Sequence, residues 1–481
     1  MTGTAATPAT NPEAAHTGRT IAALLVGGIT AVLDTTIVAI GLRTMQRELH
    51  ASVATIQWVS TGYLLALAVA IPFVSWAQAR FGGKRLWLFA LSLFLLGSIL
   101  CACAWNAESL IVFRVVQGLG GGVMFPLMTT LAMQRVEPGA MARTMATVSV
   151  PIALGPILGP VLGGLVLNWL SWRWLFLINV PIAIVGLVLA IAFVAADKPA
   201  ADAPKRRLDI VGVVLVAPAL VGLLYGLSKA NSDGGFGNVQ VWLPVAIGAV
   251  FLVAFVLWCV RRGAGALIDI RLFRVRSVRS SSIVLAFLGG TLFASTFLLP
   301  LYFQTLRGDT VLTAGLLLIP QGVGSLLARF VTGRLVDRFG SKAVALVSFV
   351  VIAAATIPFA LADARTSVWY LGAVLFVRGL GLGAVLIPVM TVAYVDIPRT
   401  DMPHASAITR IVQQLGGAFG TALIAVALQG EIAAGHPVTG FNIAFWCTIA
   451  ITLVAAVAAL ALPGRAANPK AVPVAGAKLA G

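Results

Sequence analysis

Near-continuous apolar stretches recur along the chain from Ile21 to Leu462. Each is about 20 residues long, and at about 1.5 Å per helical residue this length crosses the roughly 30 Å hydrocarbon core of a bilayer. Of the 481 residues, 59% are hydrophobic and only 10% are charged. This excess of apolar side chains excludes a water-soluble domain. The sequence predicts an all-α integral membrane protein.

Fourteen stretches are predicted to span the membrane, at residues 21–43, 55–77, 86–105, 109–134, 145–168, 174–196, 210–229, 241–260, 281–304, 311–332, 343–362, 367–391, 405–429 and 441–462. An even number of crossings places both termini on one side. If that side is the cytoplasm, 23 of the 33 lysines and arginines lie in inner loops and tails, and six lie in outer loops. This is the positive-inside pattern. The net charge of +17 is therefore explained by topology in the cytoplasmic membrane and does not indicate nucleic-acid binding.

Two long, charged inner loops, at 197–209 and 261–279, separate six spans, then two, then six. The loop Arg80-Phe-Gly-Gly-Lys84 after span 2 resembles Gly333-Arg-Leu-Val-Asp-Arg-Phe-Gly-Ser-Lys342 after span 10. Such a repeat predicts two six-helix bundles that face each other across a central cavity. The predicted parts are a cytoplasmic N-terminal tail (1–20), a first bundle (21–196), a linker with two inserted helices (197–280), a second bundle (281–462) and a cytoplasmic C-terminal tail (463–481).

Four further patterns lie within the spans. They are Leu33-Asp-Thr-Thr-Ile-Val38 in span 1, Arg114-Val-Val-Gln-Gly-Leu-Gly120 in span 4, Gly155-Pro-Ile-Leu-Gly-Pro-Val-Leu-Gly-Gly164 in span 5 and Trp172-Arg-Trp-Leu-Phe-Leu-Ile-Asn-Val-Pro181 in span 6. With the repeated loops, they resemble the major facilitator superfamily, specifically its drug:proton antiporters with fourteen spans. The resemblance implies export of small molecules by alternating access, driven by the proton-motive force without a cofactor. It also implies a monomer among the lipids of a bacterial membrane.

Asp34 stands in the middle of span 1, where a carboxylate is costly and usually functional. The other 15 acids fall in loops, tails or span ends, and all four histidines lie outside the spans. Asp34 is therefore the predicted proton acceptor. The resemblance gives Arg114 the role of influencing proton release, since a nearby cation favours an ionised acid. The alternative is a carboxylate paired permanently with Arg114 or Arg410 for structural reasons.

Two other arginines of the second half also fall within spans. Arg378, followed by Gly379-Leu-Gly-Leu-Gly383, occupies the place that corresponds to Arg114 in the repeat. Arg329 lies one turn before an inner loop, so its side chain is expected to extend to the membrane surface. Arg410 is compatible with either the cavity or the inner surface.

Aromatic rings and amides within the spans are candidates for binding a bulky substrate. Together with Arg410, the candidates are Trp58, Tyr63, Gln117, Met124, Phe125, Phe297, Phe303, Gln304, Gln321, Gln413 and Gln414. Any one of them could instead be a helix-packing or membrane-interface residue. As a set with a single acid, they favour amphipathic or cationic drug-like molecules over a sugar or a peptide.

Two groups of residues are candidates for conformational gating. Glycines recur every four residues on one face of span 5, where they permit close approach of another backbone, and the prolines of that span bend the helix. The resemblance implies that this run seals the contact between the halves. The candidates are Gly155, Pro156, Gly159, Pro160, Gly163 and Gly164 in span 5, and Arg80, Gly82, Lys84, Gly333, Asp337, Arg338, Gly340 and Lys342 in the loops.

The first loop departs from the family pattern. Ser75 and Ala79 stand where the family has a glycine and an acid. Asp337 is then the one acid that the two loops retain at this place. Its loss is expected to be severe, because no equivalent acid remains in the first loop.

Other classes of function fit the sequence less well. No lysine is followed by Ser or Thr, so the phosphate-binding loop of a primary pump is absent. No HExxH pattern exists, and the four cysteines lie in apolar stretches, so no metal site is expected. Two alternatives stay open: a dedicated exporter of one endogenous metabolite, antibiotic or lipid precursor, and a transport-inactive sensor or scaffold.

Overall fold

The structure, a computed structural model, describes residues 12–134, 136, 140–195, 208–230, 238–363 and 365–463. All regular secondary structure in these ranges is helical, which confirms the all-α prediction. Tail residues 1–11 and 464–481 and linker residues 197–207 lie outside the described ranges. The predicted N-terminal tail is partly helical, since the first helix already begins at Pro12.

Eighteen α-helices follow one another in the described residues. The first nine are α1 (Pro12–Glu48), α2 (Val53–Ala70), α3 (Phe73–Phe81), α4 (Gly83–Ala102), α5 (Ala107–Met133), α6 (Met141–Val148), α7 (Val150–Trp169), α8 (Trp174–Leu177) and α9 (Asn179–Phe193). The next two are α10 (Ile210–Ala230) and α11 (Val239–Arg262). The last seven are α12 (Arg276–Leu301), α13 (Val311–Leu317), α14 (Ile319–Phe339), α15 (Ser341–Ala360), α16 (Val368–Val395), α17 (Met402–Ala433) and α18 (Pro437–Ala459).

Twelve of the described helical stretches are long and apolar enough to cross a membrane. The bent pair α2 and α3, which meet at 56°, adds a thirteenth if it forms one span. The predicted fifth span falls on α7, a helix of 20 residues. Every predicted span therefore coincides with a helix, and the multi-pass helical fold is confirmed. A count of fourteen crossings stays a prediction.

Some predicted spans are interrupted rather than continuous. Pro72 stands immediately before α3, and Pro320 lies in the first turn of α14, just after α13 ends. Proline has no N–H group and its ring clashes with the preceding turn, so one helix ends and another begins there. Hydropathy does not detect these breaks because proline interrupts the backbone without interrupting the apolar stretch.

The helices pack in the order that an internal repeat requires. Helices α1, α2, α4, α5, α7 and α9 pack on one another, and α12 packs with α16, α17 and α18 while α14 and α15 pack on α16. Helices α10 and α11 pack together, and α10 also contacts α2 and α17. The inserted pair thus touches both halves. The exact domain boundaries stay a prediction.

Glycines allow the same close packing around α5 and α16. In α5, Gly118 faces the backbone of α2 and Gly120 faces that of α4. In α16, Gly379 faces α14 and Gly381 faces α15. A Cβ atom at any of these positions would lie under 3.0 Å from a backbone oxygen. Each of these helices is therefore held tightly between two neighbours, and the buried arginine that precedes each glycine run is fixed with it.

Candidate functional site

Asp34 lies within α1 and is completely buried. Arg114 of α5 donates from Nη1 to its Oδ2 at 2.5 Å. The amide groups of Gln117 and Asn179 donate to Oδ1 at 2.9 and 3.0 Å. We call these four residues the Asp34 network. They satisfy the buried carboxylate with one cation and two neutral donors.

The guanidinium group of Arg114 is fixed by more than the carboxylate. Its Nε donates to the carbonyl oxygen of Val59 in α2 at 3.0 Å, and Nη1 donates to Gln117 Oε1 at 2.7 Å. The ring of Tyr63 lies 4.0 Å from the guanidinium carbon. Tyr63 was a candidate for substrate binding, and the structure places it against Arg114 as a cation–π partner.

Gln117 is positioned by a close approach of α4 to α5. A Cβ atom at Gly97 would lie 2.6 Å from Gln117 Cα, so only glycine leaves room for this contact. The next residue, Ser98, then accepts a hydrogen bond from Gln117 Nε2 at 2.7 Å. Gln117 was a candidate for substrate binding, but in this structure its amide is used within the Asp34 network.

The sequence analysis missed two polar residues of this site, Ser98 and Asn179. Both are completely buried, and Asn179 is the first residue of α9. A buried asparagine amide must find hydrogen-bond partners, which was a usable signal. Its partner Asp34 lies 145 residues earlier, and only the fold brings the two together.

The structure pairs Asp34 with Arg114 and gives Arg410 other partners. Arg410 of α17 donates to Gln413 Oε1 at 2.7 Å, and its guanidinium carbon lies 3.8 Å from the centre of the Phe125 ring. Phe125 belongs to α5, so this contact joins the two halves. Three candidate substrate residues therefore form one cluster.

The second half holds a buried arginine that has no acidic partner among the described residues. Arg378 of α16 donates from Nε to Thr356 Oγ1 at 3.0 Å and from Nη1 to Gln321 Oε1 at 2.7 Å. Its third partner is the hydroxyl of Ser295 in α12. Within the described residues, the partners of Arg378 are all neutral. Gln321, another candidate for substrate binding, is thus a partner of this arginine.

The remaining candidates for substrate binding do not gather at one place. Trp58 stacks on Tyr225 of α10, with ring centres 5.3 Å apart. Met124 is fully buried in the core, and Phe297 packs against a separate apolar cluster of the second half. Gln304 lies in a short π-helical turn that follows α12. Their role in substrate binding stays a prediction.

The glycines of α7 lie against α1, the helix that carries Asp34. A Cβ atom at Gly155 would lie 2.6 Å from Val32 Cγ1. One at Gly159 would overlap the hydroxyl of Thr36. The close helix contact expected here is present, but it lies within the first half and not between the halves. Other parts of α7 contact α13 and α14 of the second half.

The other candidate gating residues of α7 make looser contacts or lie outside the described side chains. Gly163 also faces α1, where a Cβ atom would lie 3.2 Å from Ile37 Cγ1. Gly164 is partly exposed. The side chains of Pro156 and Pro160 lie outside the described part of the structure, so the bend predicted from them stays a prediction.

Gly82 and Gly340 end the corresponding helices α3 and α14 with the same backbone conformation. Both have φ of 83° and ψ of 156°. The N–H group of each donates to the carbonyl oxygen four residues earlier, at 2.9 Å. Positive φ favours glycine because it has no Cβ atom. The repeated loop of the sequence is therefore a repeated turn in the structure.

The two loops make different contacts with the opposite half. Asp337 forms an ion pair with Arg143 of α6 at 3.3 Å, and both side chains are partly or largely exposed. Beside the first loop, Gln78 of α3 donates to Gln134 Oε1 at 3.1 Å, and Gln134 follows α5 of the same half. Gln134 in turn donates to the carbonyl oxygen of Arg399 at 3.2 Å. Neutral amides thus connect the halves where the first loop lacks an acid.

The remaining loop candidates lie at the surface or bind their own half. Lys84 Nζ donates to the carbonyl oxygen of Ile191 in α9 at 2.7 Å. Arg80 is exposed, and Lys342 is partly exposed. The guanidinium carbon of Arg338 lies 5.2 Å from the ring centre of the residue that follows it. Their role in gating stays a prediction.

The side chain of Arg329 does not extend outward from the protein as expected, but is buried between helices. The residue is 4% exposed, and Nη1 donates to the carbonyl oxygen of Ser149 at 2.7 Å. Ser149 separates α6 from α7, and a helix break leaves carbonyl groups free to accept hydrogen bonds. Arg329 therefore links α14 to the first half.

An internally repeated set of membrane-spanning helices around buried charges is the architecture of a secondary transporter. Comparison with known protein families agrees with this class, because residues 24–421 match the family described as Major Facilitator Superfamily. The chain belongs to this superfamily of membrane transporters.

Two bacterial relatives are similar over most of the chain. The chain is 36% identical over 412 residues to the Multidrug resistance protein B homolog of Mycobacterium tuberculosis strain ATCC 25618 / H37Rv, covering 85% of this chain and 76% of the relative. It is 31% identical over 399 residues to the Putative multidrug resistance protein MdtD of Pectobacterium atrosepticum, covering 82% and 84%.

Solved structures share the fold. The proton:xylose symporter XylE has a TM-score of 0.64 at 16% sequence identity, with 92% of this chain and 95% of that chain covered. The human organic anion transporter MFSD10 has a TM-score of 0.63 at 14% identity, with 92% and 100% covered. At these identities the likeness shows the fold alone.

Proposed function

We propose that the protein is a proton-coupled exporter of amphipathic small molecules that works by alternating access. The observation that carries this proposal is the completely buried Asp34, paired with Arg114. Among the described acidic residues, only Asp34 and Asp209 are buried, and Asp209 lies immediately before α10. This burial supports Asp34 as the carboxylate that exchanges a proton at membrane depth.

Protonation of Asp34 would remove the charge that Arg114 balances. Arg114 would then retain only neutral hydrogen-bond partners, the situation in which Arg378 already exists. A buried cation without an opposite charge is costly, so the protonated network favours any rearrangement that gives Arg114 a new partner or more water. Proton and substrate binding are linked if they favour different arrangements of this network.

The proposed direction of transport is outward, as the names of the bacterial relatives suggest, and the predicted orientation with both termini in the cytoplasm defines the two sides. Substrate enters from the cytoplasm or inner leaflet, a proton enters from outside, and the two halves alternate between inner and outer openings. The proton-motive force supplies the energy. The bacterial relatives named for multidrug resistance support a cytoplasmic membrane and export.

The substrate class is supported by the cluster of Arg410, Gln413 and Phe125. It combines a ring, an amide and a cation between the halves. Arg410 and Arg378 have no acidic partner among the described residues, so a substrate with hydrogen-bond acceptors fits better than a permanent cation. Of the amphipathic or cationic molecules expected from the candidate residues, we therefore place the amphipathic ones first.

The test uses purified protein in vesicles with an imposed pH gradient and a fluorescent lipophilic dye. Asp34→Asn should abolish uphill dye transport while downhill exchange of dye continues, because the variant cannot carry the coupled proton and, like the protonated carboxyl group, leaves Arg114 with neutral partners only. Asp396→Asn, which changes an exposed loop acid, is the matched control and should behave like the parent. Uphill transport at the parent rate in Asp34→Asn would contradict the proposal.

An uncoupler separates the alternatives. A multidrug exporter should lose dye accumulation when a proton uncoupler collapses the gradient. A dedicated exporter should move none of several unrelated dyes, yet still show proton movement with its own substrate. A sensor or scaffold should show neither.

A further inference from the structure

A cavity of about 300 Å³ lies between α6–α7 of the first half and α14 of the second. It is separate from the Asp34 network. Arg143, Arg329 and Arg334 line it, and its described lining contains no acid. Near the cavity α14 approaches α6 closely, since a Cβ atom at Gly333 of α14 would lie 3.1 Å from Arg143 Cγ of α6.

The charge in this cavity is only partly balanced. Arg143 pairs with Asp337 at 3.3 Å, outside the lining. Arg329 is 4% exposed and uses Nη1 to bind the Ser149 carbonyl oxygen, but its buried Nε has no hydrogen-bond partner in the described structure. A buried N–H group without an acceptor is costly. An acceptor that enters the cavity would satisfy it.

The geometry favours an oxyanion with several acceptor oxygens. Three arginines from two helices line one space, and guanidinium groups match the oxygens of phosphate with paired donors. Phe330, on the wall of the same cavity, is 67% exposed and adds an apolar surface. A phosphate with an attached apolar tail would use both features.

We propose that this cavity binds a phosphate group, either the headgroup of an anionic membrane lipid or free inorganic phosphate. The bound group joins Arg143 of α6 to Arg329 and Arg334 of α14. It therefore stabilises the arrangement in which the two halves meet at this end, and slows the separation that alternating access requires. This inference does not depend on which substrate the protein exports.

The experiment measures thermal unfolding of the full-length protein in neutral detergent. Phosphatidylglycerol, phosphatidylcholine with the same acyl chains, and inorganic phosphate are titrated separately. Phosphatidylglycerol should raise the unfolding temperature of the parent more than phosphatidylcholine does. Arg334→Gln, at an exposed lining position, should need about fivefold more anion for the same shift, because one arginine near an anionic headgroup contributes about 1 kcal/mol.

Arg279→Gln is the matched control, since it removes an exposed arginine that does not line the cavity. It should respond like the parent. If Arg329→Gln folds, phosphatidylglycerol or phosphate should raise its unfolding temperature even less than that of Arg334→Gln. If Arg329→Gln does not fold, the comparison of Arg334→Gln with the parent decides. Protection by inorganic phosphate with the same dependence on Arg334 identifies a free anion, and protection by phosphatidylglycerol alone identifies a lipid. Equal responses in parent, Arg334→Gln and Arg279→Gln would overturn the proposal, as would equal effects of the two lipids together with no protection by inorganic phosphate.

Discussion

At the scale of single residues, the two halves compensate a buried arginine in different ways. Arg114 has an opposite charge in Asp34, whereas Arg378 has three neutral acceptors among the described residues.

Asp34 and Arg114 were predictable from the sequence because a charge in an apolar stretch is conspicuous. The partner of Asn179 was not predictable, because a polar residue near a helix start has many uses, and only the fold shows which group it meets.

The first prediction concerns the Asp34–Arg114 pair. Arg114→Gln leaves a buried carboxylate without its cation, which should lower the stability by roughly 3–5 kcal/mol. Adding Asp34→Asn removes the orphaned charge and should restore much of that loss. Thermal unfolding of the single and double variants in detergent measures both effects.

Arg378→Gln is the control for this prediction, since loss of the Arg378 guanidinium group leaves no described buried carboxylate without a partner. The acceptors Ser295 and Thr356 each already donate to a carbonyl oxygen of their own helix. Arg378→Gln should therefore be milder than Arg114→Gln. An Arg114→Gln protein as stable as the parent, or no recovery in the double variant, would show that the pair does not govern stability.

At the scale of helices, the sequence predicted that α7 makes a close helix contact but not that α1 is its partner. The four-residue spacing of glycines identifies a close helix contact, and the structure has one. The spacing does not identify the partner, because any helix with a smooth surface can pack against small residues. The structure assigns α1, so the glycine face of α7 lies two residues from Asp34 along α1, at Thr36.

The second prediction tests this contact with one methyl group. Gly159→Ala places a Cβ atom into the Thr36 side chain, and such overpacking should cost about 1–3 kcal/mol. Gly430→Ala is the matched control, because a Cβ atom there meets nothing within 4 Å. Adding Thr36→Gly to Gly159→Ala should recover stability and transport. Equal unfolding temperatures for Gly159→Ala and Gly430→Ala would contradict the assigned contact.

At the scale of the whole molecule, the described polar contacts between the halves gather near the loops that are predicted to be cytoplasmic. The hydroxyls of Thr130 and Ser406 lie 2.8 Å apart, and Tyr394 shares the same Ser406 hydroxyl at 2.9 Å. The Asp337 ion pair lies at the surface of this end. The sequence indicated Asp337 alone, because an acid in a repeated loop is visible and a hydroxyl pair from distant helices is not.

The third prediction compares the Asp337–Arg143 ion pair with the hydrogen bonds of the Ser406 hydroxyl. Loss of the partly exposed Asp337 pair by Asp337→Asn should cost about 0–1 kcal/mol, less than the severe effect expected from the loop pattern alone. Ser406→Ala leaves two buried hydroxyls without this partner and should cost about 1–3 kcal/mol. The halves should therefore separate more readily in Ser406→Ala.

The measurement is the rate at which a water-soluble thiol reagent labels Ser149→Cys, a buried position at this end, with the four native cysteines replaced. Labelling should be faster in Ser406→Ala than in Asp337→Asn. The reverse order would show that the exposed ion pair, and not the buried hydroxyls, holds the halves together.

The matching turns at Gly82 and Gly340 limit which mutations the two copies of the repeated loop can accept. The torsion angles of the two turns agree, although one loop keeps Asp337 and the other has Ala79 at the corresponding place. A point mutation that alters a side chain beside the turn leaves the backbone intact, so charge can be lost from one copy without rebuilding the loop. A point mutation of either glycine introduces a Cβ atom at a positive φ, which strains the turn itself. The copies are therefore free to diverge in chemistry while their shape is inherited unchanged.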